Sequence, residues 1–402
     1  MAEDPPAEDR ARSAGAAPGV SPDGELPEGL REAFEHLGRL RFDQFMELAL
    51  YAPATGFFAV HGGAGRRTGD FMTSPEVGPT FGAVLARHLD ELWRRLDRPS
   101  PFTVIEGGAG RGALAIAVAA AAPECAPALH WVLVERSAAL RDRQGEHLEL
   151  TGLVGLPEPG GLGAGSPGEG GGPWFTSLAA MPEPSAASIT GAVVANELLD
   201  NIPTRLLART ATTWQEVMVA LGDDGRLREE LSEVPPVVAE AFDEVAPAAV
   251  QDARAPWQPG AAKWVVDAID LVERGEVLVF DYADTTASMA ARPQDQWLRT
   301  YRSHQRGSSP LESTGRQDIT VEVALDQLPE PDEVCSQAAW LAANGLDELV
   351  ARAARRWEER AGVGDLAAMR ARSVSTEAAA LTDESGLGAF KVLRWAVGPA
   401  RT

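Results

Sequence analysis

The residues best suited to chemistry fall in three short runs. The first is Glu106-Gly-Gly-Ala-Gly-Arg-Gly112, with glycines at 108, 110 and 112 in a GxGxG pattern. It lies between a short apolar run, Phe102 to Ile105, and an Ala-rich stretch beginning at Ala113. Glycines lack a Cβ, so such a turn lets the backbone come close to a ligand. The helix that follows points its free N–H groups at whatever binds there. A dinucleotide site prefers GxGxxG, with the pyrophosphate on that helix. The register found here suits the amino-acid part of S-adenosylmethionine (SAM), which carries no phosphate. A merely structural glycine turn is the alternative. The second run ends at Glu135, after Trp131 to Val134. A carboxylate there can accept both hydroxyls of an adenosine ribose, or it is a solvated strand end. The third is Asn196-Glu-Leu-Leu-Asp-Asn-Ile-Pro203, after the buried-strand pattern 192–195. Asn196, Glu197 and Asp200 would cluster at the strand's C-terminal end, where open α/β sheets bind ligands. Paired carboxylates can hold a guanidinium and localise its charge, leaving one nitrogen to attack. A helix N-cap with an acidic first turn is the alternative.

Those runs need a scaffold of alternating strands and helices. Strand, glycine turn, helix 113–121, strand 131–135 and a helix from Ser137 to about Leu150 read as the opening of a doubly wound parallel sheet. Further strands are expected at 192–195 and 277–282, with a strand pair at 205–209 and 214–219. Residues 234–273 read as helices broken by prolines. A helical C-terminal part from Ser336 to about Ala379 should precede a closing strand at 391–397. Upstream, helical spacing begins near Leu30, Phe34 and Leu37, recurs through Phe42, Phe45, Met46 and Ala49, and returns at Thr80 to Leu96. Glycine-rich 62–70 reads as a mobile loop. The following Asp70, Thr73, Ser74 and Glu76 belong either to a lid or to a helix start, with Ser74 as cap and Pro75 in first position. Residues 315–320 precede a helix-like run, 321–328, which Asp318 or Thr320 could cap. Residues 155–173 read as a flexible insertion and 1–28 as a disordered tail.

Composition narrows the function classes. A formal net charge of −23 repels phosphate backbones, so nucleic acid is a poor partner. It suits a cationic protein substrate, or serves solubility alone. No apolar run is long enough for a membrane span. The start of the chain lacks the pattern of a signal or transit peptide, which points to the cytoplasm. Two distant cysteines and six scattered histidines predict no disulfide framework and no metal site.

Taken in order, several stretches resemble the MidA-like family, which includes the mitochondrial arginine methyltransferase that assists respiratory complex I assembly. They are Tyr51-Ala-Pro-Ala-Thr-Gly-Phe-Phe58, Gly69-Asp-Phe-Met-Thr-Ser-Pro-Glu76, the 106–112 turn and Val134 to Gln144. Asn196 to Pro203, Asp281-Tyr282, Gln317-Asp-Ile-Thr320 and Leu387-Gly-Ala-Phe-Lys-Val-Leu393 follow. The resemblance covers about residues 30–398. It implies an α/β, class I Rossmann-like methyltransferase fold with a helical N-terminal extension and insertions. The expected organisation is one domain over 29–398, with a helical and lid part at 29–98, the SAM-binding core from 99, and a helical insertion at about 230–273. By that likeness Glu106, Gly108, Gly110, Gly112 and Glu135 would contact SAM. Asp70 and Thr73, in a segment that closes over the site, would do so too. Asn196, Glu197 and Asp200 would face the reacting nitrogen of a protein arginine. The sequence departs from the family pattern at Ala109, where proline is usual, at Leu198-Leu199, usually aromatic, and at Ala283, usually glycine. A non-catalytic SAM-binding assembly factor, a small-molecule methyltransferase and a nicotinamide-dependent oxidoreductase remain as alternatives.

Overall fold

Apolar runs too short for helices make the centre of the molecule. The computed structural model describes residues 26–60, 73–150, 172–184, 188–302 and 305–398. Seven strands form the main sheet: Phe102–Gly107 (β1), Leu129–Val134 (β2), Trp174–Leu178 (β3), Ile189–Asn196 (β4), Val272–Asp281 (β5), Glu333–Ser336 (β6) and Lys391–Val397 (β7). Their order is β3-β2-β1-β4-β5-β7-β6. Strands β1 to β5 are parallel. Strand β7 runs antiparallel between β5 and β6. Dinucleotide folds use the order 3-2-1-4-5-6. An antiparallel strand wedged into the edge therefore separates this sheet from theirs.

Every residue of β1 and β2 is buried, because both faces carry helices. Val104, Trp131 and Leu133 point to one side, against Phe81, Val84 and Leu89 of the helix Pro79–Arg95. Ile105, Val132 and Val193 point to the other, against Val265 and Ala268 of the helix Pro259–Leu271. The Ala-rich helix Ala113–Ala120 lies so close to Pro79–Arg95 that a Cβ on Gly82 would meet Ala117 Cβ at 2.4 Å.

A second layer is inserted between β4 and β5. Strands Arg205–Arg209 and Trp214–Leu221 pair antiparallel, as expected, and are flanked by Leu227–Glu233, Arg254–Trp257 and the N-terminal Arg39–Arg41. The helices Glu28–Leu37 and Phe42–Tyr51 cover it, with Phe34, Phe42, Phe45 and Met46 against Leu206, Val217 and Val219. A small sheet of Leu298–Arg302, Gln305–Arg306 and Asp318–Val321 joins the same core.

Four local expectations change. Residues 234–273 hold two helices, but the strand Arg254–Trp257 separates them and closes the inserted sheet. The run 321–328 is no helix. Ile319 and Val321 alternate inward on a strand, Val323–Ala324 pairs with Ala283–Asp284, and only a 3-10 turn follows. The helix after Ser137 ends at Gln144, at Gly145, rather than near Leu150; Leu150 instead bridges to Phe175 of β3. Thr73, not Ser74, precedes the short helix Ser74–Val77, whose Pro75 sits early as expected. Residues 1–25, the 62–70 loop with Asp70, and most of 155–173 lie outside the described residues. No helix among the described residues is long and apolar enough to cross a membrane.

Candidate active site

Four adjacent strand ends meet at one cavity of about 480 Å3. The 106–112 turn follows β1, Glu135 follows β2, Asn196-Glu197 follows β4 and Tyr282 follows β5. Because β1 and β4 are neighbours whose connections leave in opposite directions, the crevice opens between them.

The glycine turn is built for close approach. Gly108, Gly110 and Gly112 have φ of +66°, +54° and +85°, a region that L side chains seldom adopt. Ala109, at the position expected to differ, donates its N–H to the Val134 carbonyl at 3.0 Å and keeps the turn against β2. A Cβ on Gly108 would strike Leu198 at 2.9 Å, whereas one on Gly110 would meet open space. Gly110 therefore faces the cavity directly.

Glu135 is 8% exposed and reaches across to this turn. One oxygen accepts the Gly110 N–H at 3.0 Å and the other the Ser137 N–H at 2.7 Å. Burial holds its pKa above the usual carboxylate range despite those donors. Glu106 lies beneath, accepting from Trp131 Nε1 at 2.8 Å. Burial, with Glu135 nearby, pushes its pKa up to about 8. Thr73 lines the same cavity.

The other end is shaped by the loop after β4. Glu197 has φ +51°, a strained value for a residue with a Cβ. Its Oε1 accepts the Ser74 N–H at 3.2 Å and Asn196 Nδ2 at 3.0 Å. Burial first, then the Asp200 charge, raises its pKa to about 8. Asp200 is 4% exposed. It sits on the 3-10 turn Leu199–Asn201 and caps no helix. Burial, then Asp281 and Asp318, hold its pKa well up. Asp200 Oδ1 and Asn196 Oδ1 are buried with no hydrogen-bond partner. Buried acceptors are normally satisfied, so both are unmet acceptors on residues that line the cavity.

The structure adds residues that the motif reading left out of the site. Asp281, fully buried at the end of β5, accepts the N–H groups of Leu199, Asp200 and Tyr282 at 2.9, 3.3 and 2.8 Å. It fixes the acidic loop from below. Tyr51 lines the cavity and donates to the Asn201 carbonyl at 3.0 Å. Tyr282, Tyr301 and Trp264 add aromatic walls, so the aromatic surface missing at Leu198-Leu199 comes from other elements. Leu199 itself is a core residue. Among the described lining residues Arg111 and Arg136 are the basic ones, and each is paired, with Glu76 and Glu47. Among the described residues no group of three His, Cys, Asp or Glu is placed to hold a metal ion.

Residues 84–342 match the family described as S-adenosyl-L-methionine-dependent methyltransferases. The chain belongs to that family. The chain is 29% identical over 205 residues to the mitochondrial protein arginine methyltransferase NDUFAF7 homolog of Drosophila melanogaster, covering 49% of this chain and 45% of that protein. With its Homo sapiens counterpart it shares 26% over 221 residues, 52% of this chain and 47% of the relative. The match thus spans a little under half the length of these curated relatives. Likeness to a solved structure extends further. A superfamily member from Burkholderia thailandensis, bound to S-adenosyl-homocysteine, superposes with a TM-score of 0.73 at 26% identity, covering 92% of this chain and 90% of that one. The class I Rossmann-like methyltransferase fold and the use of SAM follow. The oxidoreductase alternative falls with them.

Proposed function

We propose that this methyltransferase moves a methyl group from SAM to a nitrogen of a cationic acceptor, with the arginine side chain of a protein as the acceptor. The observation that carries this reading is the pair of buried, unpartnered oxygens, Asp200 Oδ1 and Asn196 Oδ1, in a cavity lined by further carboxylates. The protein arginine methyltransferases among its relatives support the same acceptor.

The cavity suits both partners. Gly108 and Gly110, with Glu106 and Thr73, would cradle the amino-acid part of SAM, and Glu135 would accept its ribose hydroxyls; Gly112, expected to join them, instead packs against Leu133 and Leu148 outside the cavity lining. Bound there, SAM supplies an electrophilic methyl on a sulfonium that is already a good leaving group. The chain has to align the acceptor nitrogen and take its proton. A guanidinium offers five N–H donors in a plane. Asp200 Oδ1 and Asn196 Oδ1 would accept two of them and fix the plane. Tyr282 would face the cation with its ring. As the new N–C bond forms and the S–C pair stays on sulfur, the nitrogen loses a proton, which Glu197 would accept. Its raised pKa keeps that carboxylate basic enough for the task.

Isothermal titration with SAM and with NADH, followed by transfer from methyl-labelled SAM to randomised Xaa-Xaa-Arg-Xaa-Xaa peptides, tests the reading. Lysine and citrulline pools serve as comparisons. Saturable SAM binding and label in the arginine pool are expected. SAM binding without transfer to any pool would leave a non-catalytic binder. Transfer to lysine but not arginine would overturn the acceptor.

A further inference from the structure

One wall of the cavity belongs to neither the cofactor turn nor the acidic loop. Strand Asp318–Val321 pairs antiparallel with Leu298–Arg302, placing Asp318 opposite Tyr301 and Ile319 opposite Thr300. Side chains alternate along strands. Ile319, Val321 and Leu298 face the second-layer core. Asp318, Thr320 and Tyr301 face the cavity. A carboxylate and an aromatic ring thus stand side by side on one face of a rigid cross-strand pair.

This wall is tied to the acidic loop. Asn201, next in chain to Asp200, donates from Nδ2 to Asp318 Oδ1 at 3.1 Å and to the Ile319 carbonyl at 3.1 Å. Its own carbonyl accepts from the Tyr51 hydroxyl. Asp200, 4% exposed and with an unpartnered Oδ1, lines the same cavity from the main-sheet side. An acceptor held by Asp200 therefore meets Asp318 and Tyr301, which are supplied by a different layer of the fold.

We propose that the Tyr301–Asp318 pair is the acceptor-recognition wall, gripping a planar, N–H-rich cation through a charge-assisted hydrogen bond and a ring face, while Asp200 holds the reacting end in plane and Glu197 takes the proton. This rests on the functional reading above. A carboxylate accepts two parallel N–H donors from a guanidinium, and a neighbouring ring face favours the same charge. The wall sets which acceptor binds and takes no part in the transfer.

The test uses the full chain, saturating SAM and the randomised arginine pool. Asp318→Asn and Tyr301→Leu should each raise the apparent acceptor KM by about tenfold or more, with kcat within about threefold and SAM affinity unchanged. Tyr301→Phe keeps the ring and should restore the wild-type KM. An unchanged acceptor KM in both variants overturns the proposal. So does a fall in kcat at constant KM, which would put the pair in the transfer step. Loss of SAM binding with a lowered melting temperature would make the pair structural, and also overturns it. Failure of the functional reading has a different signature, since the wild-type chain would then transfer nothing to the arginine pool.

Discussion

Glu197 carries two demands that pull against each other. In the role proposed for it, it must lie deep enough to touch the acceptor, and it must ionise to receive a proton. Burial and the neighbouring Asp200 raise its pKa from 4.5 to about 8. A base works when deprotonated, so kcat/KM should climb with pH and level off above about 8. Asp200→Asn removes a negative neighbour and should move that limb to lower pH, alongside any loss of rate; an unmoved limb would assign it to another group. Glu197→Gln should keep SAM affinity and lose about 100-fold or more in kcat, and wild-type turnover would remove Glu197 from the mechanism. Glu106 gives a stability counterpart. Its folded pKa is raised to about 8 from 4.5, so its contribution is fully present below the unfolded value and is lost as pH rises through the folded one. Denaturant unfolding of wild type against Glu106→Gln should therefore show the wild type losing ground between about pH 5 and pH 9. A constant difference across that window would mean that Glu106 titrates normally.

The glycine turn, a strand-end carboxylate and the β4 loop are local devices, and each was legible from a few consecutive residues. Gly110 shows what such a device contributes. Its φ of +54° penalises any side chain, but a Cβ there meets nothing within 4 Å. Gly110→Ala should thus weaken SAM binding only through backbone strain of about 1–2 kcal/mol, whereas Gly110→Arg fills the cavity and should abolish it. Equal losses in titration would show that strain alone governs the turn. Elements without a local signature were harder to read. Strand Leu227–Glu233 carries four acidic or basic residues in seven and is largely exposed, so it has no apolar alternation to detect. Strand Arg254–Trp257 contains a proline and sits at the edge of the inserted sheet, where a missing N–H is tolerated. Asp318 read as a helix cap because Val321, Val323 and Leu325 have mixed spacing. Only the pairing with Leu298–Arg302, about twenty residues upstream in sequence, decides that it is a strand. Asp281 was visible as part of a motif, but its task of holding the Leu199 and Asp200 N–H groups of a distant loop is a tertiary fact.

Across the molecule, charge and shape point at the same kind of partner. The chain carries a net charge of −23, and among the described residues its cavity gathers Glu76, Glu106, Glu135, Glu197, Asp200 and Asp318 against two arginines that are already paired. A negative, low-dielectric cleft concentrates cations and speeds their arrival. That attraction is screened over a Debye length of about 8 Å at physiological salt. Added salt should therefore lower kcat/KM for the arginine peptides, measured at saturating SAM because SAM is itself a cation; an unchanged value would mean that the field does not act on the peptide. The raised pKa values refine the expectation. Near neutral pH, Glu197 and Glu106 hold protons for part of the time, since both titrate at about 8. A cation entering the cavity stabilises their charged forms and drives protons off. Acceptor binding to the SAH-loaded enzyme should thus release protons, seen as a dependence of the apparent binding enthalpy on the ionisation enthalpy of the buffer. The release should shrink above about pH 9, where the carboxylates are already ionised. It should shrink at all pH values in Glu197→Gln. Binding with no proton release near neutral pH would mean that the acceptor's charge stays away from these carboxylates, and the site of transfer would have to be sought at another part of the cavity.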